Sequence, residues 1–284
     1  MHFSVRHVTR YRYSRPVSCE PLTVRLRPRS DHRQRLLSFQ ISIDPAPKGL
    51  FDAIDLEGND VSAAWFSAAM DELTISSTFE AETFDSNPFQ FLLFPAATKL
   101  PLVADAIESK HFALYAARQS PSAAVEEVAR DLANEARFST VEFLCGLNEW
   151  IHAHHENILR PTGAPWPADQ TLREGRGACR DLAVIFIEAC RVLNIPSRFV
   201  SGYSVNVDKA TDRELHAWAE VYLPGAGWRG FDPSLGLATT ERHLAVAVGL
   251  TPEMAAPITG TFRGDAASLL EAEIEIETSD AHSV

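Results

Sequence analysis

The chain of 284 residues lacks several features that mark common protein classes. It has no run of about 18 consecutive apolar residues, the length that a membrane-spanning helix needs, and its charged N-terminus lacks the apolar segment of a secretory signal. Neither a G-x-G-x-x-G nor a Walker pattern occurs, so no nucleotide-binding motif is visible. We therefore expect a cytoplasmic protein with no membrane partner and no cofactor.

The chain has fewer basic than acidic residues: 26 Lys and Arg and 38 Asp and Glu give a net charge of −12. Such a balance disfavours binding to phosphate backbones. Residues 1–35 are nevertheless rich in arginine, whereas residues 264–284 contain acids and neither Lys nor Arg. The basic start has only Tyr11 and Tyr13 as stacking aromatics and alternates as a strand does, so we expect no nucleic-acid partner.

Cysteine is scarce, and its spacing includes neither a C-x-x-C pair nor a zinc-finger pattern. In a chain without a signal peptide the cysteines are expected to be reduced, and a reduced cysteine is usually a small buried hydrophobe or, less often, a nucleophile. His152 and Glu156 share one face of a predicted helix, but the run lacks the glutamate of H-E-x-x-H. We therefore expect no metal site.

The first part of the chain has the alternation of half-buried strands, with period two in Thr23–Arg27, Leu37–Ile43 and Leu73–Phe79. Glu57–Asp60 is typical of a turn between strands. Short strands joined by turns indicate two packed sheets. We predict an N-terminal β-sandwich-like domain over residues 1–103.

Helical periodicity follows from about residue 104. One helix is predicted to begin at Ser120 or Ser122 and to end near Glu135, a second begins at Thr140, and a buried third spans Ala178–Asn194. Three strands come next, over Ser197–Tyr203, Glu214–Leu223 and Trp228–Phe231. Residues 104–240 are thus predicted to form an α+β core.

Residues 241–284 are predicted to be a C-terminal extension with a strand over Leu270–Thr278. Its alternating glutamates match the period of Arg25 and Arg27 in the early predicted strand and have the opposite sign. Opposite charges across neighbouring strands attract, so we expect Glu273 and Glu275 to meet Arg25 and Arg27 on the β domain. Two unrelated solvated faces are the alternative.

Cys179 differs from the other cysteines because it lies at the predicted start of the buried helix. The first N–H groups of a helix have no partner within it, and their positive potential favours a thiolate and can hold an oxyanion. Arg176 and Arg180 add positive charge, and Gly175 and Gly177 are expected to let a substrate approach the backbone. Cys179 is the candidate nucleophile, whereas three cysteines are interpreted as structural: Cys19, Cys145 and Cys190.

A thiolate nucleophile needs a base, and the base needs an orienting group. His216 lies in an alternating strand, and Asp232 follows the next strand after the turn Pro224–Gly227. A loop of three or five residues places Asp232 opposite Trp218 and diagonal to His216 on the same face, whereas an even loop separates them. We predict the odd loop, with His216 as base and Asp232 as orienting acid.

Three motifs, in this order, resemble those of the bacterial transglutaminase-like superfamily: Gly175–Asp181, His216–Tyr222 and Gly227–Pro233. The opening is similar to that family's bacterial N-terminal region in three segments: Tyr11–Tyr13, Leu26–Arg29 and Asp55–Asn59. The resemblance implies a papain-like α+β core with a catalytic triad of Cys179, His216 and Asp232.

The implied chemistry is acyl transfer on a peptide or protein amide substrate through a thioester. We expect water to resolve the thioester, as in a cysteine protease or amidase. Transamidation of protein glutamine is the alternative within the enzyme class, and a binding or scaffold module that keeps the fold is the alternative outside it. All three triad positions are occupied, which favours an enzyme.

Three aromatic residues are candidates for substrate binding, each with core packing as the alternative. Tyr203 is predicted at a strand end near the cleft, Trp218 lies two residues from His216, and Trp166 precedes Cys179 as a cleft-wall residue. After Gly249 the family tends to continue with an Arg-Asp-Tyr-like segment, whereas Leu250–Met254 stands here. We therefore expect altered loop chemistry near the site.

Overall fold

The computed structural model describes residues 1–103, 110–119, 122–205 and 215–280. These residues form three larger β-sheets, a two-stranded parallel pair and a group of α-helices, which confirms the predicted α+β class. None of the helices in these parts of the chain has the length and apolar character needed to cross a bilayer.

The first sheet is built around a long strand at the start of the chain. Its strands, in spatial order, are β16 (Ser268–Ser279), β1 (His2–Cys19), β6 (Met70–Thr83) and β3 (Gln34–Asp44), with β15 (Phe262–Arg263) paired to the end of β1. The basic start alternates as a strand does, but that alternation does not predict the full length of β1, because His7 and Thr9 occupy buried positions where an apolar residue is expected. The His7 and Thr9 side chains are hydrogen-bonded at 3.1 Å, which makes their burial tolerable.

The acidic C-terminal strand pairs with β1, so its charge partners differ from those expected. The ion pairs are Arg6 with Glu273 and Glu275, and Arg12 with Glu271. The expected pairing with Arg25 and Arg27 is wrong, because the arginines of β1 are the cross-strand neighbours of β16. Arg25 instead binds Asp55 at 2.9 Å, and Arg27 lies over the ring of Phe39.

A second sheet packs against the first. Its strands, in spatial order, are β14 (Ile258–Thr259), β2 (Leu22–Val24), β5 (Asp60–Trp65) and β4 (Gly49–Ile54). Buried side chains from both sheets form one apolar core: Leu22, Val24, Leu26, Ile43, Ala64, Met70, Leu73 and Ile75. The turn predicted between strands joins β4 and β5, with Gly58 at a positive φ of 76°. The strand predicted over Thr23–Arg27 is shorter in the structure, since β2 ends at Val24.

The helices pack on a third sheet. They are α1 (Ala113–Ala116), α2 (Ala123–Glu135), α3 (Thr140–His154), α4 (Ala168–Glu174) and α5 (Cys179–Val192), with a 3₁₀ turn at Pro95–Ala97. Helix α2 begins where the sequence indicates, because the Ser122 side chain caps it by accepting from the Val125 N–H. Helix α5 is largely buried, and its apolar residues form a core with those of α2, α3 and the sheet.

The third sheet contains the strands that carry the candidate base and acid. Its order is β12 (Leu237–Ala238), β11 (Gly227–Asp232), β10 (His216–Leu223), β9 (Ser197–Ser204) and β13 (His243–Gly249), and β7 (Glu156–Asn157) pairs separately with β8 (Arg176–Gly177). Leu223 pairs with Gly227, so the β10–β11 loop has three residues and the predicted odd loop is confirmed. Ala219 pairs with Phe231, which puts Asp232 opposite Trp218.

Side-chain amides from the first two sheets bind the outer edge of β13. Asn59 accepts from the Val248 N–H at 2.8 Å and donates to the Val248 carbonyl at 2.7 Å. Gln34 makes the same two contacts with Ala245, at 2.8 and 2.7 Å. Both amides are buried. The N-terminal sheets therefore satisfy this sheet edge and fix the position of β13.

Candidate active site

Cys179 is the first residue of α5, and a buried carboxylate holds this end of the helix. Asp181 is fully buried and accepts from the Ala178 N–H at 2.8 Å. The contact is the reverse half of a capping box, and a negative charge in the first turn complements the helix dipole. Cys179 itself is partly exposed. The local sequence thus presents a thiol at a helix N-terminus within reach of solvent.

The loop before α4 is tied to the same carboxylate. Asp181 also accepts from the Trp166 N–H at 2.8 Å and from the Arg160 guanidinium, which stacks on the Trp166 ring with its carbon 4.1 Å from the ring centroid. Arg180 donates to the carbonyls of Arg160 and Thr162. These contacts place Trp166 beside the start of α5.

The glycines before Cys179 have a structural reason other than the one expected. Gly175 ends α4 in the left-handed conformation, with φ of 62°. A Cβ on Gly177 would lie 2.8 Å from the Asp181 Cβ and 2.9 Å from the Thr171 Cγ2. Gly177 is therefore required by close packing beneath the helix start, and access of a substrate to the backbone is not its evident role.

His216 begins β10 and binds the predicted orienting acid. Its Nε2 lies 2.6 Å from Oδ2 of Asp232, the last residue of β11. Cys179 is near enough to act on the charge of the imidazole. Burial alone would lower the pKa of His216, but the negative charges of Asp232 and Cys179 raise it well above 6.5. The net effect favours the protonated imidazolium form of His216.

Asp232 is fully buried and receives four hydrogen bonds. Its Oδ1 accepts from the Ser234 N–H at 3.0 Å and from the Ser234 hydroxyl at 2.7 Å. Its Oδ2 accepts from His216 and from Nε2 of His243 at 3.2 Å. Burial would raise the pKa of Asp232, but the charge of His216 and the hydrogen bonds of both histidines hold it below 3.8. The carboxylate is thus kept ionised and immobile.

Trp218 lies between the two histidines and is only 2% exposed. Its ring centroid is 6.2 Å from that of His216 and 5.5 Å from that of His243, the latter in an edge-on contact. It packs with Val200 and Val248 on the same face. Trp218 therefore excludes water from one side of the site and leaves little surface for a substrate.

Tyr203 lies near the end of β9, and its side chain is in the core. It is fully buried, and its hydroxyl lies 2.7 Å from Nδ1 of His7 on β1. Its ring packs with Phe3, Phe79 and Leu244 between the core sheet and the first sheet. No exposed surface of Tyr203 supports a substrate contact in this structure, and its core-packing alternative fits the geometry.

The other cysteines lack a comparable setting. Cys190 is buried within α5, and burial raises the pKa of its thiol. Burial also raises the pKa of Cys145 in α3. Cys19 ends β1, with its sulfur 3.6 Å from that of Met70 and 3.8 Å from the Tyr13 hydroxyl. Their surroundings agree with the structural interpretation.

The histidine run of α3 serves backbone contacts. His154 and His155 bond the carbonyls of Trp150 and Ile151 one turn earlier. His152 bonds the Ser234 carbonyl at 3.0 Å and so supports the loop that follows Asp232. In the described ranges no cluster of three or more His, Cys, Asp or Glu has the geometry of a metal site.

The segment after Gly249 lies away from the cysteine. The Leu250 carbonyl accepts from Arg191 at 2.9 Å, and the Leu250 N–H donates to Glu57 at 3.2 Å. Arg191 is in the last turn of α5, about 18 Å along the helix from Cys179 at 1.5 Å per residue. Leu250 therefore joins the far end of α5 to the N-terminal sheets.

Sequence reasoning missed three residues around Asp232. Ser234 had a local signal, since Asp-Pro-Ser allows the carboxylate to accept from the N–H two residues later. His243 and His152 had no local sequence signal, because the packing of β13 and α3 brings them to Asp232 and to the Ser234 carbonyl. No spacing rule connects either residue to Asp232.

Two family models match the chain. Residues 3–82 match the bacterial transglutaminase-like N-terminal region, and residues 117–233 match the transglutaminase-like superfamily. The uncharacterized protein ML0607 of Mycobacterium leprae is 28% identical over 279 residues, with 96% of this chain and 97% of that protein covered. The uncharacterized protein Rv2569c of Mycobacterium tuberculosis is 25% identical over 289 residues, with 96% and 92% covered.

Among solved structures, a candidate cysteine protease from Cytophaga hutchinsonii aligns with a TM-score of 0.74. The alignment covers 99% of this chain and 92% of that protein at 22% identity, which shows a shared fold. The chain therefore belongs to the transglutaminase-like superfamily and carries that superfamily's bacterial N-terminal region ahead of the core.

Proposed function

We propose that the protein is a thiol-dependent enzyme that hydrolyses amide or peptide bonds, with Cys179 as nucleophile, His216 as base and Asp232 as orienting acid. The observation that carries the proposal is the placement of His216, which binds a buried carboxylate at 2.6 Å and lies near the thiol at the start of α5. Membership of the superfamily supports a thiol-dependent hydrolase or acyltransferase. The candidate cysteine protease with the same fold points in the same direction.

In the first half of the reaction the Cys179 sulfur attacks the substrate carbonyl carbon. The tetrahedral oxyanion is stabilised by N–H groups at the start of α5. The C–N bond then breaks, and the His216 imidazolium gives its proton to the leaving amine or ammonia. The product is a thioester between Cys179 and the acyl group, with His216 neutral.

In the second half a water molecule attacks the thioester. Neutral His216 takes the proton from water, the C–S bond breaks, and a carboxylic acid leaves. Cys179 and His216 return to their ion pair. Asp232 holds the imidazole orientation and offsets its positive charge throughout, without taking the proton.

Access of water favours hydrolysis over transamidation. Cys179 is partly exposed, and the His216 side chain keeps 17% of its surface accessible. A thioester at Cys179 is therefore open to solvent. A protein-glutamine transamidase needs an amine to outcompete water at this point.

The test is turnover of a panel of glutamine-containing peptides and peptide anilides, with and without a biotinylated primary amine. We expect release of ammonia or aniline and formation of the free acid, with no more than minor amine incorporation. Cys179→Ala is expected to abolish turnover, whereas Cys145→Ala is the matched control and keeps it.

If amine incorporation exceeds hydrolysis, the protein is a transamidase that uses the same thioester mechanism, and the hydrolase proposal is wrong. Full turnover in purified Cys179→Ala would overturn the mechanism. No turnover, combined with a Cys179 that is no more reactive than Cys145, would favour a binding or scaffold module.

A further inference from the structure

A second histidine shares the carboxylate oxygen that binds the candidate base. Oδ2 of Asp232 receives Nε2 of His216 at 2.6 Å and Nε2 of His243 at 3.2 Å. Oδ1 is occupied by the two Ser234 donors. Because all four donors point at one buried group, removal of His243 leaves Oδ2 held by His216 alone.

The proton on His243 is placed by its other nitrogen. The Thr240 N–H donates to Nδ1 of His243 at 3.3 Å, so Nδ1 is an acceptor and the ring hydrogen is on Nε2. The tight turn from Thr240 to His243 also contains the His243 N–H to Thr240 carbonyl bond at 3.0 Å. His243 thus presents an N–H donor to Asp232.

The position of the His243 ring is fixed on all sides. His243 is the first residue of β13, pairs with Ser204 of β9, and meets the edge of Trp218. The strand that carries it is held by Asn59 and Gln34 from the N-terminal sheets. The ring is therefore a rigid donor whose location depends on elements remote from the β10–β11 hairpin.

We propose that His243 is a positioning residue, which fixes the Asp232 carboxylate so that His216 directs its free ring nitrogen at Cys179. This role rests on the proposed function of the Cys179, His216 and Asp232 set. His243 touches neither substrate nor sulfur in the mechanism. It acts through Asp232, and it links the N-terminal sheets to the geometry of the site.

The test compares His243→Phe, which keeps a ring and removes the donor, with His243→Gln, whose amide nitrogen lies at a similar distance from Cβ and can donate. His7→Phe is the matched control, since His7 is also a buried histidine in a hydrogen bond but contacts Tyr203 and Thr9. Long-range ¹⁵N spectra of the histidine rings report tautomers and ring environments directly. Thermal unfolding of each variant reports whether the fold is kept.

We expect the wild-type His243 ring to carry its hydrogen on Nε2. We also expect the His216 ring signals to shift in His243→Phe and to return in His243→Gln. The kcat for amide hydrolysis should fall about tenfold in His243→Phe with KM unchanged, the size expected from loss of a hydrogen bond to a charged group. His243→Gln should recover most of that loss, and His7→Phe should not reduce kcat.

Unchanged His216 signals in a folded His243→Phe protein would overturn the proposal, as would a wild-type His243 with its hydrogen on Nδ1. These spectra do not require turnover. If the enzyme proposal fails and no amide is hydrolysed, they still decide whether His243 positions Asp232 and His216.

Discussion

Two buried carboxylates lie near Cys179, and they differ in their hydrogen-bond partners. We expect one to stabilise the fold and the other to serve the reaction. Asp181 and Asp232 are both fully buried, and each accepts several hydrogen bonds. Asp181 binds a guanidinium and two backbone N–H groups. Asp232 binds two imidazoles and a serine. The first set consists of groups that can only donate, whereas the second contains imidazoles, whose ring nitrogens can donate or accept.

The difference in partners decides how each site responds to loss of charge. Guanidinium and backbone N–H groups can only donate. A donor that replaces a carboxylate oxygen of Asp181 therefore leaves one of them without an acceptor. Imidazole donates from one nitrogen and accepts at the other, so it can change tautomer to meet a new partner. Replacement of Asp181 is therefore expected to affect folding, and replacement of Asp232 to affect turnover.

The largest expected effect is on turnover in Asp232→Asn. The amide introduced at position 232 can remain hydrogen-bonded if His216 changes tautomer. The ring nitrogen facing Cys179 then carries the hydrogen and cannot accept the thiol proton. We expect kcat for amide hydrolysis to fall about 10³- to 10⁴-fold, while circular dichroism shows the native fold. Turnover within tenfold of wild type would remove Asp232 from the mechanism.

Asp181→Asn makes the same chemical change at the other carboxylate. The amide nitrogen must face Arg160 or a backbone N–H, and at least one buried donor loses its acceptor. We expect the free energy of unfolding to drop by about 3 kcal/mol, measured by denaturant titration. Loss of kcat in the folded protein should be far smaller than in Asp232→Asn. A stability loss below that of Asp232→Asn would break the comparison.

The stability supplied by His216 should depend on pH. Because the folded pKa of His216 is raised well above 6.5, its contribution is complete below about pH 6.5 and is lost as pH rises through the folded value. The pKa of Asp232 is lowered, so Asp232 stays charged across this range. We expect the stability advantage of wild type over His216→Gln to shrink from pH 6 to pH 9, by denaturant titration at each pH.

The same titration of wild type against Asp181→Asn should give no slope, because guanidinium and backbone N–H groups are not deprotonated in proteins. The wild-type advantage over Asp181→Asn is therefore expected to be constant between pH 6 and pH 9. The stability differences from wild type of His216→Gln and Asp181→Asn could instead change with pH in parallel. That result would show that the partners of the two carboxylates do not differ in the way proposed.

The smallest effect is expected at Tyr203, a buried polar group outside both sites. Tyr203→Phe removes the hydroxyl bonded to His7 and keeps the ring. We expect a loss of about 1 kcal/mol in the free energy of unfolding and no change in KM for peptide substrates. A raised KM with unchanged stability would instead support Tyr203 as a substrate-binding residue.

Local patterns predicted the parts of the fold that short-range rules control. An odd β10–β11 loop, of three or five residues, is predicted from the sequence, and the three-residue loop of the structure puts His216 and Asp232 on one face. The Ser122 cap and the apolar density of α5 are equally local. These signals depend only on neighbouring residues, so the sequence displays them directly.

Long-range pairing set the limits of that prediction. The alternation of the basic start does not predict the full length of β1, because the polar residues His7 and Thr9 fill inward positions. His7 is accommodated there by its contact with Tyr203, 196 residues further along the chain. The partner of β16 is β1, which charge period alone cannot distinguish from other arginine-bearing strands. His243 reaches Asp232 only because β13 pairs with β9. Such contacts follow from sheet order, which local periodicity does not encode.

The most direct test of the central claim is the pH dependence of iodoacetamide alkylation, read at each cysteine by mass spectrometry in wild type and His216→Ala. The account predicts that Cys179 alone reacts quickly below pH 7 and that His216→Ala slows it, because the imidazolium stabilises the thiolate. Cys145 and Cys190, whose thiol pKa values are raised by burial, should react slowly in both proteins. A Cys179 that reacts no faster than Cys145, or whose rate is unchanged in His216→Ala, would contradict the ion pair and the mechanism built on it.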